Sequence, residues 1–594
     1  MLVQNKKRIM FYMHYDIGNI IDEHIIYQIK AYAELGIEIV FISNNELAES
    51  ELDKVRPLCR KVMLHHNKGF DFTSWRDAIL AEGWDFFNAY DQLIITNCTC
   101  YGPIFPFEEM FNEMDKRDPD WWGVAERTSS YGFISHVISS FVVFNKKVFE
   151  SEIFRKFWTT VKNEYKTFWE VIRHGELRLT ETLNKKFKYD VYCKLQDTRS
   201  LEELGHLETF FTANAGYFCE KTKSPFMKVK AFANMRTNVY SHADEIFAVL
   251  KRMDSRYPIE LIVNHQYRTS PLSWVRNFPD MLKIIDDVQE KSAVDLHVFI
   301  LLNDENMLDF YADIYKNSPF PLYVAVSSKI NSDTVRNSIS APNVTIKVIS
   351  ENLKDSDWGG ILVGLFPELA ENNKIILVNN FKSYSKYNDF LNFKIENHVV
   401  NSLLGSFERM SAAAAFLQNK KDVGMLISSL AAEQIFCDML PQHTVQDKLF
   451  LKNYAGNKIA QESSIPTCMT YACYIKSDSM KLLAENNFCN IKNTECKINS
   501  QSDRLIAYLL QKFNLKTVFV TSTAELISEN AHLRDKNVSL KVSNFKKHFS
   551  AAVELAGKAC INFYHSIFPA SFTHKMMYFE EPLKQFLKKL LGKK

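Results

Sequence analysis

The first hundred residues alternate strand and helix signals, and this alternation narrows the fold more than any other feature. Residues 8–13 (RIMFYM) read as a short buried strand. Residues 21–35 carry apolar side chains at helical spacing up to Gly36, a natural helix stop. Residues 37–42 (IEIVFI) read as a second strand, closed by Ser43, Asn44 and Asn45. A short helix around 46–58, a strand at 61–65, a polar turn, a helix over 74–82 and a strand at 92–96 follow. Such repetition predicts a mostly parallel, Rossmann-like α/β sheet. Ligands of these sheets lie outside the carboxyl ends of the strands. The candidate site residues are therefore those that end strands: Tyr15 and Asp16, Ser43 and Asn44, Asn67 to Asp71, and Asn97 to Pro103. Polar groups at successive strand ends suit a nucleotide or sugar pocket. The same residue types also make turns and helix caps, so each position stays open between the two roles.

The chain of 594 residues exceeds one ordinary core, and near residue 256 the pattern restarts. Residues 295–302, 320–326 and 343–349 are strand-like. ENLKDSDWGGILVGLF then echoes NKGFDFTSWRDAIL, and NKIILVNN (373–380) echoes YDQLIITN (90–97). Trp75 to Trp358 and Asn97 to Asn380 are both offsets of 283 (358 − 75 and 380 − 97). An internal duplication follows: one unit over 1–275, and a second over 276–545 that has lost residues. Residues 546–594 read as a helical tail. Its end places Leu583, Phe586, Leu587, Leu590 and Leu591 on one helical face, with five lysines among the rest. That face suits either the inner membrane surface or the protein's own core.

Composition removes several function classes. A hydrophobic fraction of 46% with 13% aromatics excludes disorder, and only 18 glycines and 16 prolines argue against a loop-rich all-β fold. A net charge of +2 gives no basic field for nucleic acid. Eleven cysteines without paired Cys-x-x-Cys motifs read as free thiols in a reducing compartment. The amino terminus does not read as a signal peptide. The most apolar stretch, 550–572, is interrupted by Glu554, Lys558 and His565. The expected location is cytoplasmic, either soluble or peripheral on the inner face of the membrane.

Two motifs carry a resemblance. The first is Asn67, Gly69, Phe70, Asp71, Phe72, Ser74, Trp75 and Arg76; the second is Tyr90, Asp91, Leu93, Ile94, Asn97, Tyr101, Gly102 and Pro103. His136, Ser139 and Phe141, then Glu176, Leu179 and Thr180, extend the match. At these positions the chain resembles the rhamnan synthesis protein F family, strongly to about residue 275 and more loosely to about 535. In place of the family's second-half signatures stand Lys354-Asp355-Ser356 and Asn380-Phe381-Lys382-Ser383.

The resemblance implies two tandem GT-A-like glycosyltransferase domains, the second degenerate. It also implies transfer of a sugar from a nucleoside-diphosphate donor, such as dTDP-L-rhamnose, to a lipid-linked glycan in cell-surface polysaccharide synthesis. Inverting transfer needs a base and a counter-charge for the departing diphosphate. Asp16, Asp71 and Glu176 are the catalytic candidates, each also able to serve as a cap or surface residue. Asn44, Asn67, Gly69, Trp75, Arg76, Asp91 and Asn97 are donor-side candidates, with core packing open for Trp75 and a surface ion pair for Arg76. Tyr101 and His136 are acceptor-side candidates. Where the family has Asp after Asn97, this chain has Cys98. A divalent cation such as Mg²⁺ or Mn²⁺ wants oxygen ligands there, so no metal is assigned. A non-catalytic glycan-binding or scaffolding subunit is the rival expectation.

Overall fold

The computed structural model describes residues 6–67, 69–127, 135–194, 214–233, 243–270, 272–276, 278–286, 294–351, 358–371, 373–381, 398–429, 472–485 and 505–526. The expected tail helix, and Lys354 to Ser356 and Lys382-Ser383, lie outside them. The first sheet has seven strands in the order β10-β6-β9-β4-β1-β2-β3. They are β1 (Arg8–His14), β2 (Glu38–Ser43), β3 (Lys61–Leu64), β4 (Gln92–Asn97), β6 (Trp121–Gly123), β9 (Phe141–Asn145) and β10 (Tyr189–Val191). Two small ribbons accompany it: β5 (Cys100–Tyr101) with β11 (Met227–Lys228), and β7 (Glu126–Arg127) with β8 (His136–Val137).

β1 pairs in parallel with β2 and β4, and β2 with β3. β9 runs antiparallel between β4 and β6. β1 is apolar on both faces because both are covered. Ile9, Phe11 and Met13 join one core with Trp75, Ile79, Phe157 and Trp158; Met10 and Tyr12 join the other with Ile25, Ile29, Met110 and Phe111. Helices Glu23–Glu34 and Phe107–Arg117 thus cover one face, and Phe70–Glu82 and Glu152–Thr160 the opposite one.

The second sheet repeats this plan. It contains β12 (Leu282–Ile284), β13 (Leu296–Leu302), β14 (Leu322–Val326), β15 (Val344–Val348), β16 (Ile375–Asn379), β17 (Val423–Ser428), β18 (Ala472–Lys476) and β19 (Lys516–Thr521). The order is β12-β19-β17-β18-β16-β13-β14-β15. Without the edge strand β12, order, chain sequence and strand sense all match the first sheet, with β18 antiparallel to β16 and β17 as β9 is to β4 and β6. Trp75 and Trp358 both lie in the helix after the third strand. Helix Ile259–Thr269 adjoins the β5 ribbon and the second sheet: Gln266 Nε2 donates to Tyr101 Oη at 2.8 Å, and Tyr267 Oη accepts from the Thr517 amide at 2.6 Å. Among the described residues no helix is long and apolar enough to cross a membrane.

Candidate active site

Parallel pairing of β1, β2, β3 and β4 brings their carboxyl ends to one edge, where a hydrogen-bonded chain assembles. Lys228 Nζ donates to Thr99 Oγ1 (3.0 Å), whose hydroxyl donates to Asn97 Oδ1 (2.6 Å). Asn97 Nδ2 then donates to Asp71 Oδ2 (2.9 Å). Both sequence motifs therefore meet at one carboxylate. Burial pushes the Asp71 carboxyl up to about 6 against the Asn97 bond, and the Glu176 charge adds to the push. The site thus holds a carboxyl that can exchange a proton near neutral pH.

Asp71 sits in the first turn of helix Phe70–Glu82, which starts earlier than the 74–82 expected. A Cβ on Gly69, the residue that caps this helix, would lie 1.9 Å from Thr73 Oγ1. Gly69→Ala is expected to destabilise the protein by about 1–3 kcal/mol through overpacking, read as a lower denaturation midpoint. Phe70 has φ +58°, a left-handed conformation uncommon outside glycine. Asn44, at the end of β2, supports the same turn. It donates to the Phe70 carbonyl (3.4 Å) and accepts from Ser74 Oγ (2.7 Å).

Glu176 lies in a π-helical turn, Ile172–Leu177. Its Oε2 accepts from the amide and hydroxyl of Ser139 (2.7 and 2.5 Å), and its Oε1 is 3.2 Å from Nε2 of the buried His136. Burial raises this carboxyl, yet the His136 and Ser139 contacts outweigh that and hold it at about 2. A carboxyl so strongly ionised is a poor base, and its place is as an electrostatic neighbour of Asp71. Its pKa is depressed below the ordinary 4.5, so its stabilisation is complete above about pH 4.5 and fades as pH falls toward 2. Glu176→Gln is expected to cost on the order of 3 kcal/mol at pH 7. In urea titrations the gap from wild type should close over that acid range.

A second cluster surrounds Asp16, which is buried. Arg268 Nη1 and Nη2 reach its two oxygens at 3.1 and 2.5 Å, and Arg268 Nε and Nη2 also reach Asp22 Oδ2 at 3.1 and 2.8 Å. Asp16 is therefore engaged by a guanidinium, which corrects the expectation of a free base there. Arg268 and Asp22 were not legible as site residues: Arg268 is 252 positions from Asp16, and no local spacing links them.

Other expectations are also corrected. Asp91 lies at the amino end of β4, where it accepts from the Lys7 amide (2.7 Å). Asn97 lies six positions further along the strand, about 20 Å, so Asp91 is remote from the carboxyl edge. The Trp75 ring is fully buried, its Nε1 donating to the Thr96 carbonyl (3.2 Å) and its edge meeting Phe72. Tyr101 is likewise buried, its hydroxyl 2.6 Å from His265 Nδ1. Gly102 makes room beside it, since a Cβ there would lie 3.0 Å from the Pro225 carbonyl oxygen. Neither aromatic ring is open to a ligand. Arg76 pairs with Asp77 (2.7 Å), while Asn67 is exposed beside the turn. His136 is buried against Glu176 rather than exposed to an acceptor.

Cys98 does not fit a metal at the expected position. Its Sγ lies 3.4 Å from both the amide nitrogen and the carbonyl oxygen of Tyr15, and burial pushes the thiol up to about 12. A neutral thiol engaged with backbone is no ligand for a hard cation.

The strand order, the polar edge and the two meeting motifs define an α/β protein with a polar site at the carboxyl edge of its first sheet. The chain matches Rhamnan synthesis protein F over residues 39–491 and belongs to that family. It is 25% identical over 160 residues to the uncharacterized protein y4gN of Sinorhizobium fredii, an alignment covering 27% of this chain and 41% of that protein, less than half its length. Among solved structures, the glycosyltransferase GlyE of Streptococcus pneumoniae is 11% identical, covering 58% of this chain and 81% of that one, with TM-score 0.23. Core-mannan synthase A of Aspergillus fumigatus is 8% identical, covering 27% and 65%, with TM-score 0.19.

Proposed function

We propose that the chain is an inverting glycosyltransferase of bacterial cell-surface polysaccharide synthesis. It transfers a sugar, L-rhamnose in the family's namesake polymer, from a nucleoside-diphosphate donor to a growing lipid-linked glycan. The observation that carries this reading is Asp71, a carboxyl in the first turn of helix Phe70–Glu82, raised to about 6 and oriented by Asn97. Asp71 takes the acceptor hydroxyl's proton as that oxygen bonds to the anomeric carbon. The bond from the anomeric carbon to the diphosphate breaks, and nucleoside diphosphate leaves. Lys228, bonded to Thr99 beside Asn97, supplies a positive charge near the departing group.

On the acceptor side, exposed aromatics replace Tyr101 and His136. Phe70, Phe168 and Trp169 are 38%, 57% and 62% exposed, with centroid spacings of 6.5 and 6.1 Å along the series. An exposed aromatic surface next to the proposed base suits the apolar face of a pyranose ring. The matching strand orders support a tandem pair of GT-A-like domains. The second reads as degenerate because the family's second-half signatures are missing from its sequence. The chain acts in the cytoplasm, at the inner membrane face where a lipid-linked acceptor resides.

Cys98 favours one second reading, a glycan-binding subunit without activity. Incubating the full chain with a panel of nucleotide sugars, including dTDP-L-rhamnose, and rhamnan-type acceptors separates the two. Release of nucleoside diphosphate with one donor supports the enzyme. Acceptor binding with no release from any donor supports the subunit.

A further inference from the structure

The start of helix Glu23–Glu34 and helix Ile259–Thr269 bring together three groups that neither the proposed reaction nor the family assignment uses. Asp22, His24 and His265 each present a ligand-type atom, and these atoms lie within 4.8 Å of one another. We propose that they form a binding site for a divalent transition-metal ion of the zinc class.

The His24 ring is 3% exposed, and its Nδ1 is buried without a hydrogen-bond partner. That nitrogen is 3.7 Å from Asp22 Oδ1, too long for a hydrogen bond but close to the spacing of two ligands on one ion. Ligand atoms around a tetrahedral zinc lie roughly 3.3 Å apart, given bonds of about 2.0–2.1 Å. Closing the group therefore needs side-chain shifts of about 1 Å.

The surrounding bonds leave the required atoms available. Asp22 uses Oδ2 for Arg268, while its Oδ1 faces His24. His265 uses Nδ1 for Tyr101 Oη at 2.6 Å. With the proton on Nδ1, that contact fixes the tautomer that offers Nε2, the usual outer-shell arrangement of a metal-bound imidazole. The imidazoles are packed with centroids 4.2 Å apart. Two carboxylates, Asp16 and Asp22, face one guanidinium, so the cluster has negative charge left for a cation. Two imidazoles and one carboxylate suit a borderline cation better than Mg²⁺ or Ca²⁺ and leave a fourth position open. The ion would join Asp22 and His24, at the start of helix Glu23–Glu34, to a helix more than two hundred residues later in the chain.

The test is metal binding by the purified full chain after chelation and dialysis, independent of sugar transfer. Calorimetric titration with Zn²⁺ is expected to give one tight equivalent, and Co²⁺ to give visible absorption of a nitrogen- and oxygen-ligated ion. His24→Ala and His265→Ala should each weaken that equivalent by at least about a hundredfold and remove the Co²⁺ bands. Tyr101→Phe keeps all three ligands and should weaken binding by roughly 10–100-fold, which keeps the test decisive if an alanine variant misfolds. Wild-type protein without a tight equivalent would overturn the site. So would a folded His24→Ala or Tyr101→Phe variant that binds Zn²⁺ as tightly as wild type.

Discussion

Asp71→Asn is expected to lower sugar transfer roughly 10²–10⁴-fold, the range for loss of a general base, while leaving the protein folded and more stable. The two effects share a cause. Burial raises the Asp71 carboxyl to about 6 from an ordinary 3.8, so keeping it ionised at neutral pH works against folding. For a raised carboxyl, stability is fullest below about pH 3.8 and declines as pH rises through 6. The asparagine variant escapes that cost, and at pH 7.5 it should gain on the order of 1–3 kcal/mol. Asn97 can still donate to the new amide oxygen. Wild-type kcat/KM should fall below a pH near 6, and the variant's residual rate should lack that limb. Loss of activity accompanied by lower stability would mean that Asp71 serves the fold rather than the reaction.

Arg268→Ala carries the largest expected stability loss. The guanidinium links Asp16 and Asp22, whose side chains are 8% and 14% exposed. Removing it leaves two carboxylates close together, out of water and without their cation. Breaking a buried pair costs about 3–5 kcal/mol, so urea denaturation should show a much lower midpoint. Arg268→Lys keeps the charge but replaces a planar fork that contacts both oxygens of Asp16, and only partial recovery is expected. A midpoint within error of wild type for Arg268→Ala would show that the pair contributes little.

The strands were legible because burial on both faces writes continuous apolar runs: RIMFYMH, EIVFIS and QLIITN are all observed strands. The start of the Asp71 helix was less so. Asp71 and Thr73 read as polar turn, yet Gly69 and the left-handed Phe70 let the helix begin four residues early. Asn97 and Asp71 could be found because each ends or follows a strand, and strand ends share an edge. Asp91 was misplaced by the same motif. Its residues are adjacent in sequence, but six positions of strand carry them to opposite edges of the sheet. Trp75 and Tyr101 were misread because a motif does not say whether an aromatic ring faces a ligand or the core. Arg268 and His265 had no local signal, since their partners are joined only by folding.

The donor nucleotide is expected to bind at the carboxyl edge of the first sheet. Hydrogen–deuterium exchange of the full chain, with and without saturating nucleoside diphosphate from the active donor, tests it most directly. Protection is expected in peptides spanning residues 14–22, 65–74 and 97–101, with little change at 327–331 and 379–381. Protection confined to the strand ends of the second sheet, with the first unchanged, would contradict it.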